Sequence, residues 1–557
     1  MMLAHAPAIG PALRGEAVPG APLDDGDTLY SLRLADDAWA WLREVRSVTD
    51  FLWVPVHARV LNVLDLVVAV WPARALAAVV GAAPALATLH VGLVMAAAAA
   101  GALYARALGA GVAGATAGGI VAGASGMVLT VVGVGQYPQG LLLFPLLWFA
   151  GVARVWRGER GGVALAVVGG AGSLLAYWLF APILALGTAA LAVAGWTVSW
   201  AVAPRAWRAA LAIGVGIAAC VLPWALPVLG AAESKVASVP WGTGFHAAAY
   251  WREAAAHVVG EVTFATMLSL GGGWLPALPL LVAAALGVRK ATAPWLALAI
   301  VGAGLALGPL PMVPGVGAPV AGLREAVPAM PRWMDPAVLS DAERVNNLPY
   351  QVVYQWLPGA ARMRHPMRWG VLFVAGVVPL VAFGVDRLAA RRGRAAWALV
   401  AAGGAWAAVV GPWPMPATPF PGEAADALSG CTEILFPNLP KQGGGNMERV
   451  TRLDGIHGRP RFPRIEDPRG GTGSFPASVR AAQAAREPLL TQVATGNVAD
   501  VPDGACIVVD LPVTLNAAQV GLALGETLGK HERVAFPAHT VDPDGRAGEI
   551  QLWRVHR

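Results

Sequence analysis

The sequence predicts a polytopic α-helical membrane protein, with about ten to eleven transmembrane helices and a C-terminal extracytoplasmic α/β domain. Hydrophobic residues make up 56% of the 557 residues and charged residues only 13%, whereas soluble domains carry about 25% charged residues. Many separate runs approach the ~20 apolar residues that a helix needs to cross a bilayer. The short loops between these runs hold much of the positive charge.

Ten apolar runs predict membrane spans, and together they define a helical bundle over residues 59–411. An eleventh run at the start of the bundle, residues 59–80, contains Asp65, Pro72 and Arg74. That run either spans the membrane, lies in the interface or re-enters. The ten predicted spans are residues 84–107, 110–133, 138–154, 162–181, 183–203, 207–229, 267–288, 292–311, 367–388 and 394–411.

Basic loops predict the orientation of the bundle, because cytoplasmic loops carry an excess of Lys and Arg. Two predicted spans separate each basic loop from the next, so all four loops fit on one side of the membrane, the cytoplasmic side. This loop bias explains the net charge of +6 without a nucleic-acid partner. The loops at 230–266 and 312–366 and the tail are then extracytoplasmic. The N-terminal region, residues 1–58, shares that side if 59–80 does not span. The basic loops contain Arg154, Arg157 and Arg160; Arg205 and Arg208; Arg289 and Lys290; and Arg387, Arg391, Arg392 and Arg394.

The tail, residues 412–557, predicts a small α/β domain, with β-like runs at 505–511 and 550–555 between Gly- and Pro-rich turns. Cys431 and Cys506 both fall in it. An extracytoplasmic domain permits a disulfide between them, and two free thiols are the alternative. Cys220 lies in an apolar run, where we expect a small core residue. The scarcity of Lys beside abundant Ala, Gly, Val and Arg is typical of a high-GC bacterial genome, which predicts the bacterial inner (cytoplasmic) membrane as the location.

An acidic cluster near the N-terminus, Asp24, Asp25 and Asp27, is the sharpest polar feature. Its carboxylates suit a divalent cation, Mg²⁺ or Mn²⁺, with Asp24 and Asp27 as ligands. One aspartate could instead act as general base toward an acceptor hydroxyl. A solvated Asp/Gly turn is the structural alternative.

Two further segments on the predicted external side carry candidate substrate-binding residues. Gln136 and Tyr137, between two spans, could hydrogen-bond a sugar or head group, or form a tight interfacial turn. The second segment is basic, although extracytoplasmic loops are expected to carry few Lys and Arg residues. Its arginines could hold a phosphate through charge-assisted hydrogen bonds. Its alternative role is pairing with lipid phosphates or nearby carboxylates. Its candidate residues are Tyr350, Arg362, Arg364, His365 and Arg368.

The remaining patterns mostly exclude functions. The chain has no P-loop, no G-x-S-x-G, no H-E-x-x-H and no paired C-x-x-C, which disfavours NTPase, serine-hydrolase and zinc chemistry. His457 in the tail sits in a Gly/Pro turn typical of a structural residue. The spans between 110 and 203 hold no ionisable residue away from Arg154–Arg160, which disfavours an ion-coupled transporter.

The order of these motifs resembles the YfhO-like bacterial membrane proteins of the GT-C superfamily, polytopic glycosyltransferases that use polyprenyl-phosphate sugars. The resemblance rests on the L-P-Y…L-P-G…R-H-P-M-R stretch of Leu348–Arg368, on the H-G-R-P of His457–Pro460 and on the D…W of Asp27–Trp39. It implies a GT-C-like fold with a catalytic base among Asp24, Asp25 and Asp27. It also implies a lipid-phosphate site near Arg364 and Arg368.

The resemblance therefore implies a transferase that moves a sugar from a polyprenyl-phosphate carrier to an extracytoplasmic lipid, polymer or protein. Its expected partners are that donor and membrane lipids. The family has a span before the acidic loop, and residues 1–50 contain none, so we expect either a missing upstream segment or insertion through an internal span. A non-catalytic membrane module, whose tail binds a glycan or a protein, and a lipid or glycan transporter are the alternatives.

Overall fold

A computed structural model describes most of the predicted bundle, a short N-terminal segment and parts of the tail. The described residues are 9–19, 71–133, 140–177, 179–198, 206–231, 277–306, 352–353, 357, 366–410, 417–437, 461–463, 477–509, 517–535 and 549–556.

The described part of the bundle is almost entirely helical, as expected for apolar runs that must satisfy their backbone hydrogen bonds within the segment. Short 3₁₀ turns, Lys290–Thr292 and Pro366–Trp369, precede two of the helices. The helices, numbered among the described elements, are α1 Trp71–Val80, α2 Ala82–Ala107, α3 Val112–Gly123, α4 Gly126–Gly133, α5 Leu143–Trp156, α6 Gly162–Ala176, α7 Phe180–Thr197, α8 Ala206–Ala231, α9 Leu278–Gly287, α10 Ala293–Ala306, α11 Gly370–Arg391 and α12 Gly393–Val410.

Four described helices are long and apolar enough to cross a membrane: α2, α7, α8 over Ala206–Pro223, and α11. The 26 residues of α2 extend over about 39 Å, more than the ~30 Å hydrocarbon core. Six further apolar helices are shorter; five overlap other predicted spans, and Trp71–Val80 lies in the run 59–80, whose placement the sequence left open. The fold is thus mostly helical with four candidate membrane spans, and the larger number of spans stays a prediction.

One predicted span, residues 110–133, is divided into α3 and α4. The division is at Ala124 and Ser125. The Ser125 hydroxyl donates to the Ala122 carbonyl at 2.8 Å and accepts from the Val128 amide at 3.3 Å. Serine competes for backbone hydrogen bonds in this way, which ends one helix and begins the next.

Helix α11 lies at the centre of the bundle and is the most buried of the four candidate spans, at 72%. It packs against α3, α9 and α10 through backbone contacts that only small residues permit. A Cβ atom at Gly384 would overlap the carbonyl oxygen of Ala283 on α9, and a Cβ at Gly287 would overlap that of Leu380. A buried hydrogen bond of 2.8 Å from the Tyr104 hydroxyl to the Ala375 carbonyl joins α2 to the same helix.

A carboxylate on α11 fixes one end of the bundle. The Asp386 side chain accepts hydrogen bonds from the backbone amides of Gly111, at 2.5 Å, and Gly114, at 2.9 Å, at the beginning of α3. A carboxylate is favourable there because a helix N-terminus carries unpaired N–H groups and partial positive charge. In the same region Arg387 donates to the Leu286 carbonyl near the end of α9 at 3.3 Å. The basic turns after α9 and α11 therefore lie at one end of the bundle.

The N-terminal segment lies at the opposite end, beside the beginning of the tail. Strand β1, Ala17–Pro19, pairs antiparallel with β2, Ala417–Pro419, and the Phe420 amide donates to the Glu16 carbonyl at 3.0 Å. Ile9 and Ala12 pack on Ala87 in the first turns of α2. Residues 9–19 and the beginning of the tail are thus neighbours at the end remote from Asp386.

The tail contains a five-stranded sheet of order β4-β3-β5-β7-β6, in which β3, β4 and β5 are parallel and the other pairs antiparallel. Apolar clusters fill both faces, one including residues of α13 and the other residues of α14 and α15. The predicted strands at 505–511 and 550–555 are present as β5 and β7. The elements are α13 Gly422–Ser429, β3 Ile434–Phe436, β4 Arg461–Pro463, α14 Ala477–Ala494, β5 Cys506–Val509, α15 Ala517–Leu528, β6 Glu532–Ala535 and β7 Glu549–Arg554.

The cysteines differ in part from expectation. Cys431 and Cys506 form a disulfide with a Cα–Cα distance of 5.5 Å, which decides between the two alternatives that the sequence left open. Cys220 is an exposed free thiol on α8, so its prediction as a core residue is wrong. Only 6% of the apolar window of α8 is buried inside the bundle, because an apolar helix can face the surrounding medium rather than protein.

We predict that Gly384→Ala destabilises the bundle by about 1–3 kcal/mol, because the added methyl forces α9 and α11 apart. Gly214→Ala on α8 is the matched control, since a Cβ there meets nothing within 4 Å. It should be neutral or stabilising by up to about 1 kcal/mol. Thermal unfolding of the full-length protein in detergent compares the two, and equal melting temperatures would contradict the packing described for α11.

We predict that replacing both Cys431 and Cys506 by Ala destabilises the tail by about 2–5 kcal/mol, since the bond closes a long loop of the unfolded chain. Cys220→Ala is the control and should change stability by less than about 0.5 kcal/mol. Limited proteolysis of the tail in the intact protein measures the difference. Identical cleavage rates for both variants and the wild type would refute a stabilising disulfide.

Candidate anion-binding site

A buried arginine at the beginning of α11 is the polar feature that best marks a candidate site. Arg368 lies in the turn Pro366–Trp369 and is 8% exposed, while the neighbouring Trp369 is 1% exposed. Burying a cation costs several kcal/mol unless other groups compensate. A cation before a helix N-terminus also opposes the helix dipole. Arg368 therefore occupies a position that packing alone does not favour.

The ring of Tyr177 supports the Arg368 guanidinium, whose central carbon lies 5.1 Å from the ring centroid. Tyr177 ends α6 in an extended conformation (φ −164°, ψ 101°), which turns its side chain away from the helix path. The Phe180 ring meets it edge to face, with centroids 5.3 Å apart. A cation over an aromatic face gains about 0.5–2 kcal/mol, so this contact contributes to offsetting the cost of burial.

The local sequence explains why the chain turns at Tyr177. Helix α6 ends there and α7 begins at Phe180, with Pro182 in its first turn. Proline is well tolerated at that position but would interrupt a continuous helix. The sequence prediction placed the break a few residues later, between 181 and 183, and so treated Tyr177 as part of a span. The residue that holds Arg368 was missed for that reason.

This arrangement suits an anion with several oxygens. Arginine has five N–H donors in a planar fork that matches the geometry of a phosphate. The amides at the beginning of α11 add partial positive charge. The Arg368 guanidinium and the N-terminus of α11 therefore both favour a negatively charged ligand at this position.

Of the predicted site residues, Arg368 alone lies within the described part of the chain. The prediction that it binds substrate remains untested. Among the described residues, no group of three or more His, Cys, Asp or Glu side chains is arranged to hold a metal ion; the predicted metal ligands are not among them. The candidates outside the described residues are Asp24, Asp25, Asp27, Gln136, Tyr137, Tyr350, Arg362, Arg364 and His365.

The tail has a second polar cluster, at the edge of its sheet. The His531 ring lies 5.0 Å from that of Trp553. Burial, and secondly the positive charge of Arg533, lower the pKa of His531, while Glu549 partly opposes them. Within the described structure, the buried Nε1 of Trp553 and Oε1 of Gln551 have no hydrogen-bond partner. Sequence analysis did not single out these residues, because strand alternation gives no sign of which polar atoms remain unpaired.

Comparisons with protein families, with characterised proteins and with solved structures found no match. The resemblance to the YfhO-like and GT-C proteins therefore stays a prediction from the motifs.

We predict an interaction of about 0.5–2 kcal/mol between Arg368 and Tyr177 in a double-mutant cycle. Tyr177→Leu removes the aromatic face from a buried charge and should destabilise the protein, whereas the same change in an Arg368→Met background should have a smaller effect. Unfolding in mixed detergent micelles gives the four free energies. Strictly additive effects would mean that the ring does not support the guanidinium.

Proposed function

We propose that the protein is a GT-C-like glycosyltransferase that moves a sugar from a polyprenyl-phosphate carrier to an extracytoplasmic acceptor. The observation that carries this proposal is the buried Arg368 guanidinium over Tyr177, beside the N-terminus of α11. A phosphate that leaves with negative charge needs such a donor group, placed before the reaction begins. The motif resemblance supplies the reaction class.

The N-terminal strand supports a common side for the acidic cluster and the tail. Only a few residues separate Pro19, in β1, from Asp24. Five residues reach at most about 18 Å, less than the ~30 Å hydrocarbon core. Since β1 pairs with β2 at the beginning of the tail, the proposal puts the aspartates and the tail on one side of the membrane.

The disulfide and the basic turns support an extracytoplasmic location for that side. Disulfides persist in oxidising compartments, and Cys431–Cys506 lies in the tail. The turns with Arg289 and Arg387 lie at the opposite end of the bundle, where the positive-inside bias favours cytoplasm. Both inferences favour the same orientation.

The proposed reaction divides between the two charged groups. An aspartate among Asp24, Asp25 and Asp27 removes the proton of the acceptor hydroxyl as its oxygen attacks the anomeric carbon. The bond from that carbon to the phosphate oxygen breaks, and the electron pair leaves with the polyprenyl phosphate. Arg368 donates hydrogen bonds to that phosphate and stabilises its charge. The donor already carries the activated bond, so the reaction requires no nucleotide.

The direct test measures binding of a photoreactive polyprenyl-phosphate sugar to the full-length protein in nanodiscs, followed by transfer to an acceptor. Arg368→Gln should reduce labelling at least tenfold, and Arg368→Lys should restore part of it, since lysine keeps the charge but not the fork. Replacing all three aspartates by Asn should abolish transfer but preserve labelling. Arg157→Gln, at the basic α5–α6 turn, is the control and should match the wild type.

Failure to label the wild-type protein would overturn the proposal, as would cellular activity that survives the three Asn substitutions. Donor movement across the membrane without covalent change would favour the transporter instead.

A binding module is the second candidate, and the polar cluster of the tail favours it. The His531 ring lies 5.0 Å from the buried Trp553 ring at an interplanar angle of 50°, beside polar atoms without a hydrogen-bond partner among the described residues. Aromatic and polar groups together line many ligand sites. Loss of cellular function after His531→Ala, with unchanged donor labelling, would support a tail that binds a glycan or a protein partner.

A further inference from the structure

Two basic turns of the bundle differ in how their charges are neutralised. At the α5–α6 turn, one carboxylate pairs with two of the three arginines: Glu159 lies 3.0 Å from the Nε of Arg154 and 2.9 Å from the Nε of Arg157. This turn has a built-in counter-charge. It therefore has little need of an external anion.

The basic patch formed by Arg289, Lys290, Arg387 and Arg391 has no such counter-charge. Within the described residues, no carboxylate forms an ion pair with any of the four, and the nearby Asp386 uses both oxygens on the amides of α3. Arg289 repels Arg387 most strongly and Arg391 adds to the repulsion. The Nε of Arg387 is also buried without a hydrogen-bond partner. Like charges held together in this way favour a bound anion.

An apolar stripe leads along α9 to this patch. Leu278, Val282 and Leu286 follow at intervals of four residues on one face of the helix and are 46%, 69% and 45% exposed. They cover about 12 Å of helix, and the last of them, Leu286, is three residues before Arg289. An exposed apolar face that terminates in cations matches a molecule with an acyl chain and an anionic head.

We propose that the basic patch binds the phosphate of an anionic phospholipid, with the lipid's acyl chain against the α9 stripe. Free phosphate would satisfy the arginines but would leave the stripe unused. A zwitterionic lipid would cover the stripe but would bring its own positive charge to the patch. The inference depends on the bundle being in a membrane and not on glycosyl transfer, since the patch lies at the end of α11 remote from Arg368.

The test measures retention of phosphatidylglycerol and phosphatidylcholine by the delipidated full-length protein, using native mass spectrometry. The wild type should retain phosphatidylglycerol preferentially. Arg289→Gln with Arg391→Gln should weaken that retention by about fivefold per cation removed. The matched control, Arg154→Gln with Arg157→Gln, removes the same charge from the two arginines that Glu159 already pairs with and should leave retention unchanged.

Equal retention of the two lipids by the wild type would overturn the proposal, and so would an equal loss in the two double variants. Displacement of the lipid by an equimolar concentration of inorganic phosphate would assign the patch to free phosphate and would also overturn it. If the variant with Arg289→Gln and Arg391→Gln does not fold, the wild-type protein alone tests the proposal. Its preference for phosphatidylglycerol must fall as salt is raised from low to high concentration, and a salt-independent preference would contradict an electrostatic site.

Discussion

Close approach of backbones to α11 is the constraint on which the rest of the bundle depends. Helices in lipid gain no hydrophobic free energy from association, so van der Waals contact and interhelical hydrogen bonds must hold them. Glycines on both partners make that contact possible, as Gly287 and Gly384 do between α9 and α11. The Tyr104 hydroxyl and the Asp386 carboxylate add polar links to α2 and α3.

The same helix carries the candidate functional groups at its two ends. Over 22 residues, about 33 Å, α11 connects the buried Arg368 at its beginning to Arg387 and Arg391 in its last turns. A deeply packed helix thus places the buried Arg368 and the basic patch at opposite ends of the bundle. The tail and the N-terminal strand gather at the Arg368 end, where the proposed transfer takes place.

The sequence predicts most of the helices and strands well, because apolar runs and strand patterns are local. The run 207–229 corresponds to Ala206–Ala231, and 394–411 to Gly393–Val410. Contacts between distant residues are not local, so the Tyr177–Arg368 pair and the role of Asp386 could not be predicted. The error at Cys220 has a related cause: in a membrane protein the exterior is as apolar as the core, and hydropathy does not distinguish them. The predicted catalytic aspartates remain outside the described residues.

The orientation of the bundle is the central claim, and labelling of single cysteines tests it most directly. In a Cys220→Ala background that keeps the disulfide, Glu16→Cys, Asp500→Cys and Arg160→Cys report on the N-terminal segment, the tail and a basic turn. With an impermeant thiol reagent in intact cells, the first two should label from outside, and the third only after permeabilisation. Labelling of positions 16 and 160 from the same side would contradict the account, because the proposed base would then be on the wrong side of the membrane.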